Sequence, residues 1–404
     1  MTQTLRSLPT PDFYDYDWVP VESAVVDNRF VRITWSDGAS LDAFDVWLHE
    51  NAYGIGFDPA TREHLVDPAD IGDDVGITSV TVANDGALVV AFGSECRVAE
   101  FHPGWLRHIA DGNHRPASWL PASKSWTRAT FSEPPTHDGA VVLDDDSVFG
   151  AWLDDLVRFG IARLRGCLLD PDFNIELAGR IGAIRDTNFG HIWDVKADVE
   201  MAGQADTNST ANTNLRLGPH TDLPTRETPP GFQFLHCVIN EVDGGYSTMA
   251  DGAAVVDALR DEHPEHYDAL TTLNWIFFNR GPGIDHRWSG PFIDHGVAGS
   301  PLTLRAFYPV RAFPDMAPVD QPRAYAAMQV FSQMAASPRF QIAYPFVPGD
   351  LVAFDNRRIL HGRDAFESGG RRHLRGMYID HDEIKSTARA ISRKLATNQG
   401  SVQR

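Results

Sequence analysis

Over much of the first hundred residues, apolar and polar positions alternate with a period of two, the spacing that puts successive side chains on opposite faces of a strand. Arg29–Trp35 (RFVRITW) reads as a strand, followed by the turn signal Ser36-Asp37-Gly38 and a second strand at Ala43–Leu48. Ile77–Val82, the turn Asn84-Asp85-Gly86 and Ala87–Phe92 repeat the design. Asp-Gly between alternating segments marks hairpins. A small β-rich first domain over residues 1–118 is predicted, with a Pro- and Ser-containing stretch from His114 to Lys124 at its end.

Beyond it the pattern is mixed. Ser147 is a candidate N-cap for a helix that puts Phe149, Trp152, Leu153, Leu156 and Val157 on one face. Further helices are predicted after Asp251, after Asp320 with Pro322 in the first turn, and over Asp382–Thr397. Between them lie strand-like runs at Phe232–Ile239, Trp275–Phe278, Leu302–Tyr308, Leu351–Phe354 and Met377–Ile379. No Gly-rich phosphate loop follows any of these runs. Long connections and helices outside the strands fit a double-stranded β-helix, or jelly roll, over residues 119–404 in a mixed α+β chain.

Composition narrows the function classes. The chain has 404 residues, 35 Lys plus Arg and 55 Asp plus Glu, so its formal charge is −20. An acidic surface argues against nucleic acid and anionic membrane as partners and favours cationic small molecules. No apolar run approaches the ~18–20 residues of a membrane-spanning helix, and Met1–Thr10 has no apolar signal core. Three cysteines, Cys96, Cys167 and Cys237, form neither a disulfide framework nor a cysteine zinc cluster, which points to a reducing, cytoplasmic setting.

The sharpest local feature is Gly218-Pro219-His220-Thr221-Asp222-Leu223-Pro224. In extended backbone, residues two apart share a face, so His220 and Asp222 can bite one metal ion. A second His-x-Asp, at His266 and Asp268, lies in a helix-like stretch where such residues diverge, and is set aside. Downstream, His361 follows a strand-like run and precedes a loop. Two imidazoles and a carboxylate make the facial triad of non-haem iron(II) oxygenases, which leaves positions open for cosubstrate and dioxygen. Taken alone, His361 reads better as a turn-capping or turn-bonding imidazole than as a ligand. Arg371, Arg372 and Arg375 follow. One of them can take the far carboxylate of 2-oxoglutarate with its guanidinium fork, and the others read as a solvated basic turn.

These stretches, together with Asn188-Phe189-Gly190-His191-Ile192-Trp193, Pro229-Pro230-Gly231, Leu235-His236-Cys237 and Gly376-x-Tyr378-x-Asp380, resemble the γ-butyrobetaine hydroxylase-like iron(II)/2-oxoglutarate dioxygenases, a branch of the taurine-dioxygenase-like superfamily. Trp47-Leu48-His49-Glu50-Asn51 extends the resemblance into the first domain. The resemblance implies iron on His220, Asp222 and His361, 2-oxoglutarate on Arg372 with Leu235 lining it, and dioxygen as second cosubstrate. It also implies a trimethylammonium substrate held by Phe189, Trp193 and Tyr378, since a quaternary cation offers no hydrogen bond and is recognised by ring faces.

Three departures matter. Ala52 stands where the family's first zinc cysteine would be, so no structural zinc is expected. Asn212 replaces a cage aromatic, and the longer stretch 197–208 brings Asn208 or Ser209 to a polar contact position. With Asn279, Arg280 and Arg305 as further donors, these amides tip the expected substrate toward 2-(trimethylamino)ethylphosphonate, with γ-butyrobetaine as the alternative. A non-catalytic quaternary-amine binder and a taurine-type sulfonate dioxygenase are the rival classes. A homodimer is the expected assembly, with the first domain serving dimerisation.

Overall fold

The computed structural model describes residues 7–72, 75–170, 172–197, 214–281, 283–296, 302–306, 313–367 and 370–402. The chain divides into two compact units, Met1–Ser118 and Trp119–Arg404.

The first unit contains β1 (Ser23–Asp27), β2 (Phe30–Thr34), β3 (Ser40–Phe44), α1 (Asp45–Glu50), β4 (Ile77–Val82), β5 (Leu88–Phe92), β6 (Arg97–Phe101) and α2 (Pro103–Ala110). Its strands form two antiparallel three-stranded sheets, β1-β2-β3 and β4-β5-β6. The period of two works as the sequence suggests: Val31 and Ile33 are fully buried, whereas Phe30 and Arg32 are exposed. The strand expected at Ala43–Leu48 is a correction. The strand stops at Phe44, and α1 begins at Asp45, whose carboxylate accepts from the Val46 N–H and from both sides of the Arg29 fork. The helix puts Leu48 in the core and stacks Trp47 on Trp105 at 5.3 Å. Ala52 is fully buried in the same core.

The second unit opens with β7 (Thr136–Asp138), α3 (Asp146–Phe159), β8 (Ile161–Arg165), α4 (Phe173–Ile181), β9 (Trp193–Ala197), β10 (Leu217–His220), β11 (Phe232–Asn240) and β12 (Ser247–Asp251). It continues with α5 (Gly252–Glu262), α6 (Pro264–Thr272), β13 (Asn274–Gly281), β14 (Ile284–Pro291), β15 (Ile293–Asp294), β16 (Thr303–Leu304) and β17 (Phe313–Asp315). Last come α7 (Gln321–Ala335), β18 (Gln341–Tyr344), β19 (Leu351–Asp355), β20 (Ile359–Arg363), β21 (Arg372–Ile379) and α8 (His381–Val402). Helix α3 is capped by Asp145, which accepts from the Ser147 and Val148 N–H groups, and not by Ser147 itself. Of the run Leu302–Tyr308, only β16 is a strand among the described residues, paired with β15.

Two sheets face each other as in a jelly roll. The larger has the order β7-β8-β19-β11-β21-β9 and the smaller β10-β20-β12-β18. Alternation along β11 and β21 separates two faces. Phe232, Phe234, Met377 and Ile379 point out into the core shared with Trp152 of α3, Leu177 of α4 and Ile384 of α8. Leu235, Cys237 and Leu374 point inward, toward Met249, Ile342 and Ile359 of the smaller sheet. No helix among the described residues is long and apolar enough to cross a membrane.

Candidate active site

His220 ends β10, and its register partner on β20 is His361. The two rings lie 4.1 Å apart between centroids. A register shift between Leu217 and His220 releases the chain from the ladder there, so that Asp222 turns back toward both imidazoles. One carboxylate oxygen of Asp222 lies 3.5 Å from His220 Nε2 and the other 3.8 Å from His361 Nε2. One ligand atom from each of the three residues lies within 4.8 Å of the other two. Leu223 then takes a left-handed backbone, φ 52°, as the chain leaves the site.

The surroundings fit a metal. His220 Nδ1 is 2.9 Å from the Gly218 carbonyl, which fixes its tautomer and aims Nε2 inward. Burial and the adjacent His220 push the His361 imidazole down to about 3, so it is neutral and able to ligate. Burial alone would raise the Asp222 carboxyl, but His361, His220 and the Tyr378 hydroxyl hold it well below the usual range. That hydroxyl donates to Asp222 at 2.7 Å, and burial beside the carboxylate keeps it protonated. This donor set, two imidazoles and one carboxylate, suits iron(II).

One positioning residue escaped the sequence reading. Asn356 is fully buried; its side-chain oxygen accepts from the Asp222 N–H at 2.6 Å, and its amide donates to the Asp222 carbonyl at 3.0 Å. It therefore locks the backbone of one ligand from a turn five residues before another. The signal was present, an Asn ahead of the His361 segment, but its partner lies 134 positions away.

Along the inner face of β21, Arg372, Leu374, Gly376 and Tyr378 share one side. Arg372 is 4% exposed and pairs with no carboxylate among the described residues; its Nε has no hydrogen-bond partner. Burial lowers its guanidinium from the ordinary value. A buried cation of this kind requires an anion, and the far carboxylate of 2-oxoglutarate is a fitting one. Leu235 lies opposite Gly376 on β11, and Trp193 lies opposite Gly376 on β9. The indole covers that glycine so closely that a Cβ there would sit 2.4 Å from the ring. Trp193 is 5.4 Å from the Tyr378 ring and 6.3 Å from that of Phe189, which is half-exposed.

Residues 126–378 match the model of the taurine catabolism dioxygenase TauD, TfdA family. The chain belongs to this family. It is 37% identical to the γ-butyrobetaine dioxygenase of Pseudomonas sp. (strain AK-1) over 93% of its length and 97% of that protein's. To the human γ-butyrobetaine dioxygenase the identity is 28%, over 91% and 95% of the two chains. A trimethyllysine dioxygenase of Meyerozyma guilliermondii is 24% identical over 89% and 93%. The protein is thus a dioxygenase that uses iron(II), 2-oxoglutarate and dioxygen.

Within this family member, the other residues singled out from sequence fare differently. Arg305 is not a substrate donor. Its two terminal nitrogens donate to the carbonyls of Pro224, Arg226 and Glu227 at 2.6–2.8 Å, so it braces the loop after the metal-binding segment. Asn279 stands on β13, in the middle of the separate sheet β14-β13-β17, opposite His286. No hydrogen bond or ring contact joins Asn279 to the triad among the described residues. Arg280 lies opposite Asp285 on the same strand pair, and its side chain lies outside the described residues, as do Asn208, Ser209 and Asn212. Arg371 faces outward and pairs with Glu241 at 2.6 Å. His266 and Asp268 sit in helix α6, as expected for the discarded motif.

Proposed function

We propose that this dioxygenase hydroxylates an unactivated C–H bond of a small trimethylammonium zwitterion, with His220, Asp222 and His361 holding iron and Arg372 and Leu235 holding 2-oxoglutarate. The observation that carries the reading is Tyr378, whose hydroxyl reaches Asp222 while its ring faces Trp193. One residue thereby joins an aromatic surface to a metal ligand. When bound, iron(II) with 2-oxoglutarate and dioxygen supplies an oxidant that replaces C–H hydrogen by hydroxyl, the cosubstrate leaving as succinate and carbon dioxide.

The chain's own residues do the rest. Trp193, Tyr378 and Phe189 present ring faces to the cation, which orients the substrate without hydrogen bonds. The Tyr378 hydroxyl holds one oxygen of Asp222. Asn356 and the Thr221 hydroxyl, which donates to the Leu304 carbonyl at 3.1 Å, keep the ligand-bearing turn in place.

For the anionic end, a carboxylate as in γ-butyrobetaine is the first reading. The relatives named for that substrate support it, and Arg305 is occupied by backbone carbonyls. A phosphonate is the second reading, favoured by Asn212 in place of an aromatic residue, with Asn208 and Ser209 nearby in sequence. A homodimer and a cytoplasmic location complete the proposal.

The test is a panel of trimethylammonium carboxylates, phosphonates and sulfonates, scored by substrate-dependent succinate release. A trimethylammonium acid should stimulate release, and His220→Ala should abolish it. Stimulation by taurine alone, or full turnover in His220→Ala, would overturn the reading.

A further inference from the structure

His266 does not meet Asp268, but it meets two residues on its other side. The sequence His263-Pro264-Glu265-His266 spans the corner between α5 and α6. His263 is at once the C-cap of α5 and the N-cap of α6, and Pro264 sets the first helical position after it. The His263 carbonyl accepts from the His266 and Tyr267 N–H groups at 3.0 and 3.1 Å, which closes the first turn of α6. Positions three apart become neighbours in such a turn, and the His263 and His266 rings lie 5.8 Å apart between centroids. Glu265 bends to the same place, with one carboxylate oxygen 3.7 Å from His266 Nε2.

One ligand atom from each of the three lies within 4.8 Å of the other two, the same closeness that the iron triad shows. In that triad the carboxylate oxygens are 3.5 and 3.8 Å from the imidazole nitrogens, so the 3.7 Å here is comparable. Ligands at about 2.0–2.1 Å from a tetrahedral ion are about 3.3–3.4 Å apart, and an exposed glutamate can turn its carboxylate through the small difference. The two histidines are half-buried and Glu265 is exposed, so an ion reaches them directly from solvent. Among the described residues no hydrogen bond from elsewhere engages the three side chains. A plain ion pair would use one imidazole and gain nothing from the second, which repels the first when both are protonated. A metal ion uses both. Imidazole with carboxylate suits zinc(II), whereas calcium and magnesium take oxygen ligands.

We propose that His263, Glu265 and His266 form a second metal site, apart from the iron triad, that takes zinc(II) with water in its open position. The ion would tie the surface corner to the first turn of α6, whose Ala269 and Leu270 pack in one core with Leu259 of α5 and Phe331 of α7. The proposal does not depend on what the triad binds.

The experiment is a zinc titration of the full chain in competition with a chromophoric chelator. Wild type should bind two equivalents and His220→Ala one, the latter with a Kd of about 10 μM or tighter. Adding His266→Ala to His220→Ala should weaken that remaining zinc at least about 100-fold, since even an outer partner of a metal ligand is worth about 10–100-fold. Zinc should also raise the Tm of His220→Ala and leave that of the double variant unchanged. His266→Ala alone should keep substrate-dependent succinate release within about twofold of wild type. Glu265→Gln, which keeps the side chain's shape and removes its charge, should weaken the same zinc about tenfold, and it decides the matter if the His266 variant fails to fold by circular dichroism. A His220→Ala protein that binds zinc more weakly than about 10 μM, or whose zinc is indifferent to both substitutions, overturns the site.

Discussion

Arg358 and Arg372 are buried alike, at 7% and 4% exposure, yet their surroundings are opposite. Arg358 forks onto both oxygens of Asp251 at 2.9 and 2.7 Å and donates to the Lys124 carbonyl at 2.7 Å and to the Ser123 hydroxyl. Burial opposes its charge, but Asp251 more than compensates and raises the guanidinium above its ordinary value. Arg372 has no carboxylate partner among the described residues, and burial outweighs the opposing effect of Cys237 and lowers it. The first arginine is complete and ties the turn before β20 to helix α5. The second is incomplete, and an incomplete buried charge marks a place built for a ligand.

Removing the partner of the complete one should do the most damage. Asp251→Ala strands the Arg358 charge and removes a cap from α5 and an acceptor from the Trp126 N–H. A loss of about 3–5 kcal/mol in denaturant unfolding is expected, and a loss below about 1 kcal/mol would break the comparison. Arg372→Met should do the reverse. Stability should hold or rise in denaturant unfolding, while 2-oxoglutarate affinity, measured by calorimetric titration, falls about 100-fold with the loss of a charge-assisted fork. Asn356→Ala should leave Arg372 intact and weaken metal binding about tenfold or more, since it frees the backbone of Asp222. A metal titration with retained 2-oxoglutarate binding in the loaded form separates it from Arg372→Met.

Gly376→Ala sharpens the comparison at the aromatic surface. Its new methyl group displaces the Trp193 indole, and the affinity for a trimethylammonium ligand should fall about tenfold, with metal and 2-oxoglutarate affinities unchanged. The smallest effect concerns the outer face of β11. His236 is fully buried against Phe173, both ring nitrogens lack partners, and burial pushes the imidazole down to about 4. Between that value and the ordinary ~6.5, the unfolded chain binds a proton that the folded chain refuses. Stability is therefore complete above about pH 6.5 and declines as pH falls toward 4, by about 2 kcal/mol between pH 7 and pH 5. His236→Leu should flatten that acid limb in unfolding measured at pH 5 and 7; an unchanged slope would show that another group is responsible.

How much of this was legible without coordinates depends on the range of the interaction involved. Period-two and helical patterns located β2, β4, β5, β11, α3, α5 and α7 because burial of alternate or every third-to-fourth residue is written into neighbouring positions. They misplaced the ends that side chains define: Asp145 caps α3 in place of Ser147, and Asp45 starts a helix where a strand was expected. His220, Asp222 and His361 stand out in the sequence by residue type and order, whereas Arg372 is picked out from its arginine neighbours only by the family resemblance. Arg305 was misjudged because sequence shows a charge but not the three carbonyls that surround it.

By itself, then, the sequence determined the periodicities, the acidic balance and the residue types available for metal, acid and cation. Only the tertiary structure decided which of those residues are left without a partner. Register between β10 and β20, and between β11, β19 and β21, brings positions more than a hundred residues apart to hydrogen-bonding distance. Whether a buried Arg, Asn or Gln is satisfied there is a property of that packing, because the cost of a buried polar group is set by its neighbours in space.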